Sequence, residues 1–144
     1  MPEGVWSEYP VEVIWEGGKR YRGGRPGGPT LQVDGDRGEA PSPVEAMLIA
    51  LGSCSAIDVV EILEKRRTPP TRLEVRLDFA RAAEPPRRLT AARVHYAVAT
   101  TSELQHVQRA VQLSFEKYCS VATSLAPDTR LTWTVEVLPM EGEA

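Results

Sequence analysis

The apolar residues of this 144-residue chain are concentrated in one stretch, residues 42–65, with the sequence SPVEAMLIALGSCSAIDVVEILEK. Residues 46–57 carry no charge, and apolar side chains would occupy every side of a helix there. Ser42 is a preferred N-cap, Pro43 suits the first helical position, and Glu45 completes a capping box. The pattern therefore predicts one long helix. Because that helix is apolar all round, we expect protein to enclose it.

Segments with alternating apolar and polar residues, the period of a half-buried strand, lie on both sides of this helix. Before it, alternation predicts a short strand at residues 11–15, and the Gly17-Gly18 turn and the Gly/Pro loop at residues 25–29 predict two further strands at residues 19–24 and 30–33. After it, residues 72–80 and 89–100 predict a long antiparallel hairpin with one face in water, and residues 131–137 a last strand. Thr100 and Glu103 offer a second capping box, ahead of a helical stripe from Leu104 to Leu125 that Pro127 ends. The predicted order is βββ-α-ββ-α-β, an α+β fold.

Length and charge narrow the class of protein. A chain of this length predicts a single domain over residues 1–144. The formal charge is −3, and without a basic stripe we expect no nucleic-acid partner. Residues 1–10 lack the basic start and apolar run of a signal peptide, and Glu45 and Asp58 bracket the longest uncharged run. We therefore expect no membrane span and a cytoplasmic protein.

The candidate chemistry lies in the two cysteines, since each predicted apolar helix contains one of them. A cysteine in an apolar helix is most often a small packing residue, and that alternative stays open for Cys54 and for Cys119. If the two helices cross, a Cys54–Cys119 pair within disulfide reach is one arrangement that the sequence allows. A reactive thiolate needs a nearby cation, and the glycine-rich turn that contains Arg20 and Arg22 is the chain's best source of one.

Other polar residues have simpler interpretations. The capping box accounts for Glu45 completely. Asp58 lies four residues after Cys54 on the same helical face, where a carboxylate would raise a thiol pKa, so we interpret it as solvated or ion-paired. With two histidines and no CxxC motif, we expect no metal site.

Taken together, the motifs SPVEAMLIALGSCSAIDVV and EKYCSVATSLAP resemble the OsmC/Ohr family of osmotically inducible and organic hydroperoxide resistance proteins, over nearly the whole chain. The resemblance implies an OsmC-like fold, with two central cysteine helices packed against antiparallel sheet in an intertwined homodimer. It also implies a cofactor-free thiol peroxidase of antioxidant defence. Cys54 would attack an organic hydroperoxide and become a sulfenic acid, which Cys119 would resolve as a disulfide. A dithiol such as a lipoylated protein would be the reductant, and Glu45 with Arg20 or Arg22 would activate Cys54.

The activating positions also support a second interpretation. In the well-studied peroxidases of the family a glutamate directly follows the proline, whereas Val44 follows Pro43 here. An arginine follows their Gly-Gly turn, where this chain has Lys19, and lysine cannot make the paired hydrogen bonds of arginine to a carboxylate. A redox-responsive or small-molecule-binding OsmC-like protein with little peroxidase turnover is therefore an alternative. A purely structural role for the cysteines is another, if the two sulfurs lie far apart.

Overall fold

The computed structural model describes residues 4–140, which form six strands, three α-helices and one π-helical turn. In chain order these are β1 (Glu12–Trp15), β2 (Arg20–Gly24), β3 (Leu31–Asp34), α1 (Pro43–Lys65), β4 (Arg72–Arg81), β5 (Leu89–Ala99), α2 (Leu104–Leu113), the π-helical turn (Ser114–Tyr118), α3 (Ser120–Ser124) and β6 (Arg130–Leu138). The predicted α+β fold and its order of strands and helices are confirmed. The chain divides into two compact units, one ending at Met47 and the other beginning at Leu48.

The first unit contains an antiparallel sheet in the order β1-β2-β3. Asp34, at the end of β3, organises the connection that follows the sheet. Its carboxylate accepts hydrogen bonds from the backbone N–H groups of Asp36 at 2.9 Å, Gly38 at 3.2 Å and Glu39 at 3.0 Å. These N–H groups, with Glu39 contributing most, lower the pKa of Asp34, so it stays ionised at neutral pH.

The second unit is built on a sheet in the order β4-β5-β6. Strand β5 pairs antiparallel with β4 and parallel with β6, so that Tyr96 lies between Val75 and Val135. One face of the sheet packs on the helices, and the opposite face is polar, which confirms the predicted wet face. The buried core is contributed by α1, β5 and α2, through Val59, Leu63, Val94, Tyr96, Val98, Val107, Ala110 and Val111.

The second helical stretch was predicted as one helix, and that prediction is wrong. Helix α2 ends at Leu113, and in the π-helical turn the Cys119 N–H donates to the Ser114 carbonyl, five residues back, at 2.7 Å. The π-turn adds a residue to the helical repeat, and Cys119 itself is extended, with φ −76° and ψ 102°. Tyr118, which the stripe placed in the core, is therefore 57% exposed, and Cys119 is fully buried between two helices.

The second predicted capping box is also wrong. Glu103 is itself the N-cap residue of α2, and no side chain caps that helix end. The Thr100 hydroxyl instead donates to the Thr68 carbonyl at 2.8 Å and accepts from the Ser102 N–H at 3.1 Å. Thr100 therefore fixes the loop before α2 and not the helix end.

Helix α1 is long and apolar enough to cross a membrane by length and composition alone. One such helix is a weak indication, because the core helix of a globular protein passes the same test. Its buried residues lie on a single stripe: Leu48, Leu51, Gly52, Ser55, Val59 and Leu63. Val59 and Leu63 belong to the core shared with β5 and α2, so we interpret α1 as a core helix.

We expect Arg67→Gly to raise the free energy of unfolding by about 0.5–1 kcal/mol. Helix α1 ends in a Schellman motif, in which Thr68 N–H donates to the Leu63 carbonyl and Arg67 N–H to the Glu64 carbonyl, each at 2.9 Å. Arg67 has φ +64°, in the left-handed region that favours glycine. Urea unfolding measures the gain. Arg66→Gly, one residue earlier and without a positive φ, should instead lower stability, and an equal gain in both variants would contradict this account.

Candidate functional site

The two cysteines lie together in the second unit. Cys54, on α1, is half-buried, whereas Cys119 is fully buried, and both are free thiols. Burial raises the pKa of the Cys119 thiol above its ordinary value. The Ala122 N–H donates to the Cys119 sulfur at 3.4 Å and lowers that pKa, whereas a hydrogen bond with the Cys54 side chain raises it further. The site is thus an asymmetric dithiol, with one reachable sulfur and one enclosed sulfur that stays protonated.

Local backbone geometry turns Cys119 toward the core. The break between the π-helical turn and α3 makes Cys119 the N-cap residue of α3, and its sulfur accepts the Ala122 N–H. Its own N–H is held by the Ser114 carbonyl, and its carbonyl accepts from the Thr123 N–H at 3.1 Å. Both backbone groups are satisfied without a continuous helix, so the side chain can point inward at this position.

Close packing of α1 on the sheet positions Cys54. A Cβ atom at Gly52 would lie 3.0 Å from Leu77 Cδ1 and 3.5 Å from Val75 Cγ1, so the missing side chain lets α1 lie close to β4. Of the two neighbours of Cys54, Ser53 is exposed and Ser55 is fully buried. Cys54 therefore lies at the border between the buried stripe of α1 and its outer surface.

A chain of buried hydroxyl groups lies beside the cysteines, and sequence reasoning missed it. Tyr96 Oη contacts Ser55 Oγ at 2.5 Å, Ser55 Oγ contacts Ser114 Oγ at 3.0 Å, and Ser114 Oγ contacts Asp58 Oδ2 at 2.8 Å. Tyr96, Ser55 and Ser114 are each fully buried, and Asp58 is partly exposed. The signal available in the sequence was the presence of two serines at core positions of otherwise apolar helical segments.

Ser114 is the donor in both of its contacts in this chain. A carboxylate accepts, so Ser114 Oγ donates to Asp58 Oδ2, and Ser114 Oγ is also the donor toward Ser55 Oγ. Because Ser114 has a single hydroxyl hydrogen, the two acceptors share it. Asp58, which the sequence suggested is solvated or ion-paired, is partly exposed and is also the acceptor at the end of this chain.

Glu45 lies in the first unit, where the predicted capping box is confirmed. The Ser42 N–H donates to Glu45 Oε1 at 2.9 Å, and the Glu45 N–H donates to Ser42 Oγ at 3.1 Å. The Ser42 N–H lowers the pKa of Glu45, which keeps this carboxylate ionised.

Arg20 and Arg22 also lie in the first unit, and each has a carboxylate partner there. Arg20 Nη1 lies 3.0 Å from Glu39 Oε2, and Arg22 Nε lies 3.2 Å from Glu16 Oε2. Both ion pairs are at the surface, where such pairs are worth about 0–1 kcal/mol. Within residues 4–140, no group of three or more His, Cys, Asp or Glu side chains could hold a metal ion.

The fold and the site define an α+β protein with two neighbouring free thiols, one on a long core helix and one in a helical break. The sequence model of the OsmC-like protein family matches residues 35–134. This chain therefore belongs to the OsmC-like family.

The chain is similar to Protein YhfA of Escherichia coli K12, with 43% identity over 131 residues, covering 89% of this chain and 97% of that protein. It is also similar to the crystal structure of a hypothetical protein from Aquifex aeolicus VF5, with 27% identity and a TM-score of 0.83, covering 94% of this chain and 100% of the other. An organic hydroperoxide resistance protein OsmC from Legionella pneumophila, at 12% identity, shares the fold with a TM-score of 0.67, covering 94% of this chain and 100% of that one.

We expect stability to fall as the pH rises from about 10 to about 12, because burial raises the pKa of Tyr96 from 10.0 to about 12. Below about pH 10 the Tyr96 phenol is neutral in the folded and the unfolded protein, and its contribution to stability is fully present. Above that pH the phenol ionises first in the unfolded chain, which favours unfolding. The loss approaches roughly 3 kcal/mol for a shift of two pKa units. Urea unfolding between about pH 9 and pH 11.5, compared with Tyr96→Phe, measures it. An identical slope in both proteins would contradict the assignment.

Proposed function

We propose that this protein is a thiol peroxidase that reduces organic hydroperoxides, with Cys54 as the peroxidatic thiol and Cys119 as the resolving thiol. The observation that carries the proposal is that two free thiols of unequal exposure are neighbours in the second unit. Family membership supports it, since some OsmC-like structures that share this fold are organic hydroperoxide resistance proteins.

The chemistry needs only the two sulfurs and a dithiol reductant. The Cys54 thiolate attacks one peroxide oxygen, the O–O bond breaks, and the alcohol leaves with a proton while Cys54 becomes a sulfenic acid. The Cys119 sulfur then attacks the Cys54 sulfur, the S–O bond breaks, and water leaves as the disulfide forms. A dithiol, for example a lipoylated protein, returns the pair to thiols by exchange.

The unequal burial supports this assignment of roles to the two thiols. A hydroperoxide can reach the half-buried Cys54 but not the fully buried Cys119. Since burial raises the pKa of Cys119, that thiol stays protonated and does not compete for peroxide. Its reactivity is restricted to the neighbouring sulfur, which is what a resolving cysteine requires.

Activation of Cys54 is assigned in this proposal to Glu45 together with Arg20 or Arg22. A guanidinium beside the thiol would lower its pKa, and the carboxylate would orient the guanidinium. The present partners of Arg20 and Arg22 are exposed carboxylates, so exchanging them costs little free energy.

A second copy of the chain is the proposed partner, in a cytoplasmic homodimer. Two large apolar residues of helix α1 are exposed, Ile49 at 51% and Ile57 at 59%. A helix that is apolar all round is stable in water only when protein covers it, and members of this family are typically homodimers.

We expect the wild-type protein to consume cumene hydroperoxide with dihydrolipoamide as reductant, and Cys54→Ser to lose this activity. Cys119→Ser should complete the first step once and accumulate the Cys54 sulfenic acid, which dimedone traps and mass spectrometry detects. Serine is the matched replacement in both variants, because it keeps the size and removes the sulfur. Wild-type turnover no faster than that of Cys54→Ser would overturn the proposal.

A redox-responsive or small-molecule-binding protein is the second candidate. The observation in its favour is that Glu45 is already occupied as a cap, while Arg20 and Arg22 already pair with carboxylates. The two candidates differ in the pKa of the Cys54 thiol, which catalysis requires to be depressed.

Alkylation of Cys54 as a function of pH, in the Cys119→Ser background, separates these two candidates. The peroxidase proposal expects a pKa of about 5–7, and a value at or above about 8.5, that of a free thiol, would favour the second candidate. Glu45→Gln is the informative variant, since glutamine keeps the capping box and the stability of α1. If Glu45 activates the thiol, this substitution raises the pKa of Cys54 while the protein stays folded.

A further inference from the structure

The peroxidase chemistry leaves the buried chain from Tyr96 to Asp58 without a role. We propose that Ser114 is a positioning residue, anchored to α1 through Asp58 and Ser55, that holds Cys119 against Cys54 for disulfide closure. This inference rests on the proposed function, and it adds residues that neither cysteine motif identifies as functional.

Ser114 links the two cysteine-bearing segments in two directions. Its hydroxyl contacts Asp58 Oδ2 at 2.8 Å and Ser55 Oγ at 3.0 Å, and both of these residues belong to α1. Its carbonyl accepts the N–H of Cys119 at 2.7 Å. Because Ser55 directly follows Cys54 in the chain, one residue ties the backbone at Cys119 to the turn of α1 that carries Cys54.

Apolar packing alone would not fix this relation. Val107 and Val111 hold α2 against α1 and the sheet, but such contacts are non-directional and allow a helix to slide or rotate slightly. The disulfide bond needs an S–S distance of about 2.05 Å and a narrow range of dihedral angles. Hydrogen bonds among fully buried hydroxyls, ending on a carboxylate, supply the directional constraint that hydrophobic contacts lack.

Its two contacts make Ser114 the critical member of the chain. Ser114 Oγ donates toward both Asp58 and Ser55, and it joins the hydrogen-bonded Tyr96–Ser55 pair to the carboxylate. Removing the Ser114 hydroxyl deprives Ser55 and Asp58 of this donor at once. The π-helical turn then keeps only its backbone bonds, and Cys119 samples positions away from Cys54.

The equilibrium between dithiol and disulfide measures this positioning directly. Oxidised dithiothreitol accepts two electrons and two protons from the two thiols, so the exchange balances without any peroxide. A dithiol that is held together closes more readily, so we expect Ser114→Ala to lower the equilibrium constant for closure about tenfold. That corresponds to a reduction potential about 30 mV less negative.

The experiment equilibrates the full-length protein in dithiothreitol redox buffers and quantifies the disulfide by alkylation and mass spectrometry. Asp58→Ala should shift the potential in the same direction as Ser114→Ala, whereas Asp58→Asn, which keeps an acceptor oxygen for Ser114, should restore most of the wild-type value. Val107→Ala is the matched control. It creates a cavity in the same core and lowers stability, but it leaves the hydrogen-bonded chain intact, so its potential should equal that of the wild type.

The outcomes separate this inference from the proposed function. Three results would each overturn the positioning role. Ser114→Ala and Asp58→Ala could have the reduction potential of the wild type, Val107→Ala could show the same shift as they do, or the wild-type pair could never close. If Ser114→Ala does not fold, the comparison of Asp58→Ala with Asp58→Asn decides the question by the same criterion. A wild-type pair that closes in dithiothreitol buffer but leaves cumene hydroperoxide unconsumed would overturn only the peroxidase.

Discussion

Burial of helix α1 is the constraint on which the rest of the second unit depends. The sheet β4-β5-β6 and helix α2 cover one stripe of α1, centred on fully buried Val59 and Leu63. Gly52 lets the helix lie close to β4, which sets the depth of Cys54. Without this packing neither thiol would have a defined environment. The position of α1 on the sheet determines how deeply Cys54 is buried, and Cys119 lies near Cys54 only because both segments pack on the same core.

Within that core, a polar chain replaces apolar contacts at the level of the cysteines. Three buried hydroxyl groups satisfy one another and end on Asp58, so none of them lacks a hydrogen-bond partner. Buried polar groups add little net stability, but they select one arrangement among several of similar packing energy. A dithiol site needs that selection, since disulfide closure tolerates much less displacement than hydrophobic packing does.

The parts that the sequence predicted well are those governed by local rules. Alternation and turn residues located all six strands to within one residue at each end, and the Ser42 capping box placed the start of α1 correctly. The second helical stretch failed because apolar spacing of three and four residues fits a continuous helix as well as an interrupted one. A π-helical turn changes the register by one residue, and no residue type between Ser114 and Cys119 announces it.

By itself, the sequence determined the order of elements, the family resemblance and the two sulfurs that carry the candidate chemistry. Those features depend on residue identity and on periodicity along the chain, which a single sequence displays in full. Only the tertiary structure decided that Cys119 is buried outside any helix, that the two thiols are neighbours, and that Tyr96, Ser55, Ser114 and Asp58 form one hydrogen-bonded chain. These relations join residues from α1, β5 and the π-helical turn, which are distant in the sequence. Contacts between distant segments arise from packing geometry, and local sequence patterns do not encode that geometry.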